Sequence, residues 1–151
     1  MIDKLDLNIL KELQINSRAS YAEVGRRVAL SPSSVRERIQ RLEISGVIKK
    51  YNIDVDYAQL GYVIQAFVLI KIFHGKLKSF LGVVDQYPEI RECHRILGSD
   101  NIHLKVILKD QMHLQKFIDT IMEYGHTTTH LILSEVSSMS KDIVLKIKKP
   151  A

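Results

Sequence analysis

Between Arg26 and Lys50 the chain carries Arg26, Arg27, Arg36, Arg38, Arg41, Lys49 and Lys50, opposed in that stretch by Glu37 and Glu43 alone. Ser31, Ser33, Ser34 and Gln40 are interleaved with them. Guanidinium and ammonium groups neutralise phosphates, and serine, glutamine and arginine reach base edges in a major groove. This is chemistry for double-stranded DNA, provided that one helix face presents it. No other chemistry has comparable spacing. The sequence holds no phosphate loop, no Gly-x-Ser-x-Gly and no metal-spaced His/Cys cluster. His126 and His130 fall on an expected strand, about 13 Å apart by strand rise and too far for one metal. His94 and His103 can meet across a hairpin, where a structural role is expected. The expectation is therefore no catalytic residue, no metal and no resident cofactor.

The elements that would position these residues are legible in the first half. Asp3 can cap a helix with Leu5, Ile9, Leu10 and Leu13 on one face. Ser20 and Glu23 have capping-box spacing and open a second helix with Tyr21, Val24 and Val28 as its stripe. Arg26 and Arg27 point away from that stripe. Tyr21 suits either a core or a phosphate contact. Ser31 is a good N-cap, Pro32 fits the first helical position, and Leu30 and Val35 have the spacing of a hydrophobic staple. Val35, Ile39 and Leu42 form the third helix's buried stripe, and Gly46 ends it. "VIKKYNIDVD", residues 47–56, reads as a short two-stranded wing.

Two short helices across a turn of about three residues make a helix-turn-helix, here over residues 20–45. Ser33, Arg36, Glu37, Gln40 and Arg41 lie opposite the buried stripe of the second of them. Ser31, Ser33, Ser34, Arg36, Gln40, Arg41, Arg26, Arg27, Lys49 and Lys50 are the candidate DNA contacts. Arg38 lies at the stripe's edge, where an ion pair with Asp6 or Glu43 is as well motivated as a DNA contact.

The pattern changes near Asp56–Tyr62, dividing the chain into residues 1–60 and 61–151. Ile64–Phe73 is an apolar, β-rich run. Leu77, Phe80, Leu81 and Val84 then have helical spacing, with Pro88 as the stop. Ile90–Leu97 and Ile102–Leu108 read as strands around a turn at Gly98–Asn101. Asp110 can cap a helix with Leu114, Phe117, Ile118 and Ile121, and Thr127–Val136 reads as the last strand. The order βαββαβ is the ferredoxin-like arrangement, a four-stranded antiparallel sheet with helices on one face. The fold class is α+β, a winged helix-turn-helix joined to this domain. The strands are apolar on both alternations, Phe67 and Leu69 against Ala66, Val68 and Ile70. The uncovered face is expected to pair with a second copy. A two-fold dimer would set two DNA-reading helices on a symmetric operator.

Composition bounds the setting. The 151 residues are 46% hydrophobic and 26% charged, with a net charge of +5 and a pI near 9.3, mildly basic and compatible with an anionic partner. Charge does not separate the halves, which carry net +2 and net +3. Cys93 is the sole cysteine, so no disulfide framework exists, and a reducing cytoplasm is the expected compartment. No signal peptide or membrane span is expected.

The residues carry a resemblance. In "LDLNILKELQINSRASYAEVGRRVALSPSSVRERIQRLEISGVIKKY", the pattern of Ser31-Pro32, Val35, Arg38, Ile39, Leu42, Glu43, Gly46, Val47 and Ile48 resembles the Lrp/AsnC, or feast/famine, family of bacterial and archaeal transcription regulators. So do "YPEIRECHRILGSDNIHLKV" and "TTTHLILSEV" in the second half. The resemblance implies a regulator linked to amino-acid metabolism. It implies dimers assembling into tetramers or octamers, a place at the nucleoid, and amino-acid effectors bound between subunits. It places the effector pocket near Gly98, Ser99, Asp100 and Asn101, with Tyr124, Thr127 and Thr129 nearby. The family's turn there typically reads Gly, acidic, aromatic, Asp, and here Asn101 stands in place of the Asp. An Asp pairs with a ligand α-ammonium, whereas Asn offers only hydrogen bonds. The expectation is that no free amino acid is a strong effector. Two other readings share the build: an architectural protein that wraps DNA without an effector, and a haem-pathway decarboxylase. The intact Ser/Arg helix speaks against the decarboxylase.

Overall fold

A computed structural model of the chain describes residues 1–136. They form two units, Met1–Asp54 and Val55–Val136. The end of the second half, which the sequence makes a basic tail with Lys141, Lys146, Lys148 and Lys149, lies outside the described residues.

The first unit is three helices, α1 (Lys4–Ile15), α2 (Tyr21–Val28) and α3 (Pro32–Ile44). Their starts are local chemistry. Asp3 and Asp6 form a reciprocal capping box on α1, and Ser20 and Glu23 form another on α2. The Ser31 side chain caps α3 with Pro32 at its first position, a cap whose loss typically costs about 1 kcal/mol. Ile9, Leu13, Val24, Val28, Val35 and Ile39 make one buried cluster, and Leu30 and Ile48 pack onto it. Leu5 and Leu10, expected on the same face as Ile9 and Leu13, are half-buried and outside this cluster. Tyr21 is 42% exposed and stays outside this core. The α3 helix stops at Gly46, which adopts φ +73° and donates its N–H to the Glu43 carbonyl at 3.0 Å. Gly46 alone here reaches that left-handed backbone without steric cost.

The expected wing is not formed. Residues 49–56 have no regular secondary structure, and Asp56 instead caps a short 3-10 turn at Tyr57–Leu60. A two-stranded ribbon with no third strand against it is marginal. The boundary between units also falls at Asp54/Val55. The 3-10 turn is held by the second unit, where Arg91 Nε donates to the Tyr57 hydroxyl at 3.0 Å.

The second unit has the expected order: β1 (Ile64–Ile72), α4 (Leu77–Val83), β2 (Ile90–Arg95), β3 (Ile102–Leu108), α5 (Gln111–Ile121) and β4 (Gly125–Leu131). The sheet order is β2-β3-β1-β4, antiparallel throughout. Ala66, Val68, Ile70, Ile102, Leu104, Val106 and Leu108 bury one face against Phe80, Phe117 and Ile121 of the helices. Three boundaries move. The α4 helix passes into a 3-10 turn at Val84–Gln86 before Pro88 is reached. The β2 strand ends at Arg95, because Ile96 N–H already closes the turn on the Asn101 carbonyl at 2.9 Å. The β4 strand begins at Gly125 and ends at Leu131, paired with Ala66, rather than running from Thr127 to Val136; Ile132 N–H adds one last bond to the Gln65 carbonyl at 2.9 Å. At Gly125 a Cβ would collide with the Lys71 carbonyl, so glycine is required where the strands approach.

The other sheet face differs from the expectation of a plain apolar surface. Phe67 and Leu69 are half-buried there. The register surrounds them with Lys105 and His103 from β3 and with His130 and Thr128 from β4. The His94 ring stands 6.5 Å from that of His103, the pairing expected across the hairpin.

Candidate nucleic-acid interface

The α3 helix is seated by its hydrophobic row, Val35, Ile39 and Leu42, all buried. That seating turns Ser33, Arg36, Glu37, Gln40 and Arg41 outward, and all five are exposed. The seat is close-fitting at the elbow. Gly25 of α2 lies so near the turn that a Cβ there would meet the Leu30 carbonyl oxygen at 2.5 Å. Ala29, which ends α2, adopts a left-handed backbone at φ 57° and ψ 45°. Both features set how α2 and α3 meet. An internal helix glycine was the sequence signal for the first; the second had none, because a left-handed alanine is unusual.

The start of α3 is a serine cluster. Ser31 Oγ accepts from the Ser34 N–H at 3.2 Å and lies 3.0 Å from Ser33 Oγ and 2.9 Å from Ser34 Oγ. The three hydroxyls therefore bond to one another as well as facing outward. The first turn of α3 contains no acidic residue, whereas Asp6 and Glu23 occupy those of α1 and α2. The positive end of the α3 dipole is thus left without an internal counter-charge.

The arginines divide in a way the helical wheel does not show. Arg38 Nη1 donates to Asp3 at 2.7 Å and to Asp6 at 2.8 Å, so it belongs to the protein's own joint. Arg41, expected to project freely, turns back instead, its Nη2 lying 2.9 Å from both Asp6 oxygens. Arg27 is likewise held, by Glu12 at 2.7 Å. Arg26 and Arg36 are exposed and make no ion pair among the described residues. Lys49 and Lys50 are exposed on the segment that follows α3.

Asp6 explains the division. It is 1% exposed, the buried charged residue of the described chain. Burial alone pushes its carboxyl up. The Asp3 N–H and the Arg38 guanidinium outweigh that and hold it below the usual carboxylate range. Asp3 is lowered by the Asp6 N–H and then by Arg38. At the far end of α3, the Tyr51 hydroxyl donates to Glu43 at 2.7 Å, and burial first, then that bond, pushes it up to about 12. Tyr51 and Tyr21 both line a cavity of 450 Å³ within this unit, together with Leu13, Arg18 and Ile39.

The residues expected around an effector cluster at one end of the second unit's sheet. Asn101 donates its N–H to the Ile70 carbonyl at 2.9 Å, and its side-chain oxygen accepts from the Ile72 N–H at 2.9 Å. Ile72 pairs with Gly125, next to Tyr124. Ser99 donates to Asp100 at 2.8 Å. Gly98 and Ser99 are exposed, and Thr127 and Thr129 are half-buried opposite Ile70 and Val68. The side chain of Asn101 is therefore already bonded to the sheet, and the turn has a structural job of its own.

Comparison with known proteins agrees over both units. Residues 2–43 match the AsnC-type helix-turn-helix domain, and residues 65–141 match the Lrp/AsnC ligand binding domain. The HTH-type transcriptional regulator LrpC of Bacillus subtilis is 36% identical over 91% of this chain and 95% of its own length. The structure of that protein superposes with a TM-score of 0.87, covering 91% of this chain and 99% of that one. E. coli AsnC is 30% identical, with a TM-score of 0.80 over 93% and 99% of the two chains. An L-Met complex of a transcriptional regulator from Neisseria meningitidis is 27% identical, with a TM-score of 0.86 over 91% and 94%.

Proposed function

This chain belongs to the Lrp/AsnC family of helix-turn-helix transcription regulators, and on that premise we propose that it is a sequence-specific DNA-binding regulator that docks α3 in the major groove. Its matched families and relatives are regulators, not enzymes. The observation that carries the reading is the outward row of Ser33, Arg36 and Gln40 on a helix capped by Ser31 and fixed through Val35, Ile39 and Leu42. Ser33 and Gln40 suit base edges, while Arg26, Arg36, Lys49, Lys50 and the serines at the start of the helix suit phosphates. Genome-wide binding tests it. A small set of sharp sites supports a regulator, and a broad A·T-leaning profile would replace it with an architectural protein.

The assembly is a homodimer built on the sheet face of Phe67 and Leu69, extending to a tetramer or octamer, and acting at the nucleoid in the cytoplasm. The half-buried apolar pair Phe67 and Leu69 on that face supports the dimer. Native mass measures it. Any amino-acid-like effector would be held at Gly98, Ser99, Asp100, Asn101, Tyr124, Thr127 and Thr129. The neutral Asn101, whose oxygen is taken by Ile72, supports a weak response to free amino acids. A thermal-shift screen of the twenty amino acids decides this: one clear stabiliser, L-Met included, would refute it.

A further inference from the structure

The fate of charge along α3 goes beyond that reading and rests on it. The carboxylate of Asp6 has room for about four donors. Arg38 and Arg41 reach its Oδ1, while Arg41 and the Asp3 N–H reach its Oδ2. Its acceptor capacity is thus filled, and two of the three α3 arginines do the filling. Arg38 is further closed off by Asp3 at 2.7 Å. On the rest of α3, Glu37 is exposed beside Arg36, and Glu43 accepts from Tyr51. Basic composition therefore overstates what the helix can offer a phosphate.

We propose that Asp6 is a positioning residue for DNA recognition: it withholds Arg41 from the DNA backbone and leaves Arg36 as the α3 arginine that neutralises phosphate. The burial of Asp6 decides the direction. The Arg41 side chain is 56% exposed, so on exposure alone it could swing to a phosphate. Doing so strips a 1% exposed carboxylate of its two-oxygen partner, while the arginine merely exchanges one anion for another near water. A charge-assisted contact to a buried carboxylate is stronger than one formed in high dielectric. Asp6 thus anchors α1 to the C-terminal half of α3 and keeps that half's charge internal. The consequence is specificity. Fewer phosphate contacts weaken binding to arbitrary sequence, while the base-facing row is untouched.

The test is a salt titration of the full chain on a mixed-sequence duplex, comparing wild type with Arg41→Gln, Arg36→Gln and Asp6→Asn. Each lost phosphate contact flattens the slope of log K against log salt by about 0.9, equivalent to about 3.5-fold in affinity for a fourfold change in salt. Arg36→Gln is expected to flatten the slope by that amount per protomer. Arg41→Gln is expected to leave it unchanged, and Asp6→Asn to steepen it by releasing Arg41. A purely structural role for Asp6 would not steepen it. Equal flattening by Arg41→Gln and Arg36→Gln overturns the proposal while leaving the DNA reading intact. Wild-type chain with no salt-dependent duplex binding overturns both. Should Asp6→Asn unfold, the two arginine variants decide the matter, since each replaces an exposed side chain.

Discussion

Gly25→Ala is a test in which the sign of the effect carries the information. Alanine is favoured over glycine inside a helix by about 1 kcal/mol, so at an open position this change stabilises. Gly25 is not open. The new methyl carbon would lie 2.5 Å from the Leu30 carbonyl oxygen and 3.6 Å from Val35 Cγ2, where ordinary contact begins near 3.4 Å. Relief requires moving backbone, because Leu30 N–H is bonded to the Gly25 carbonyl at 2.9 Å across the same turn. Overpacking of this kind costs about 1–3 kcal/mol, and a weakened backbone bond adds about 1 kcal/mol. Set against the propensity gain, the net is about 2 kcal/mol destabilising. Amide hydrogen exchange at Val24, Val35 and Ile39 reads it locally, without requiring the two units to unfold together. About 30-fold faster exchange is expected, at 1.4 kcal/mol per factor of ten. Duplex affinity should fall as well, since the turn that aims α3 has to open. Slower exchange in the variant would show that the elbow tolerates a side chain and that the α2–α3 fit is looser than described.

Asp6→Asn keeps an acceptor for the Asp3 N–H but turns an amide donor toward two guanidiniums, and it should cost about 2 kcal/mol, read as faster exchange in α1 and α3. Because the folded Asp6 carboxyl is held below its usual value, its stabilisation is complete above about pH 4 and is lost as pH falls through the lowered value, so wild type should loosen in acid below that pH while Asp6→Asn shows a flatter profile by circular dichroism. Ala29→Gly should stabilise the first unit by about 0.5 kcal/mol, since glycine adopts the left-handed backbone freely; a lower urea midpoint would contradict this. Leu69→Glu should shift the native mass to monomer with the circular dichroism unchanged, and a retained dimer would place the interface elsewhere.

What the sequence revealed was what local spacing controls. The starts of all three N-terminal helices and of α5 follow from one side chain meeting an N–H three residues away, at Asp3, Ser20, Ser31 and Asp110. The stripes Val35–Ile39–Leu42 and Phe117–Ile121 are equally local, and β3 lies at its expected residues. The misjudged features depend on distant partners. A helical wheel correctly puts Arg41 on the outer side, yet its guanidinium is set by Asp6, 35 residues earlier. Arg27 is similarly decided by Glu12. The extent of β4 depends on its pairing with β1, and a two-stranded wing depends on packing that its own spacing does not specify. Asn101 stands out in the sequence for its missing charge, but its bond to Ile72, 29 residues away, is not legible in the turn alone.

Ala29 and Pro32 together have a further consequence. An alanine gains by leaving the left-handed region for a right-handed one, and at the end of a helix the nearest such state simply continues it. Taken alone, the residues from Tyr21 to Ile44 could then fuse into a single long rod. Pro32 closes that route, because the residue before a proline is pushed out of helical geometry, and Ser31 is extended at φ −67° and ψ 152°. The bend between the two helices is therefore kept by obstruction. The proline blocks the straight alternative, and the strained alanine has nowhere cheaper to go.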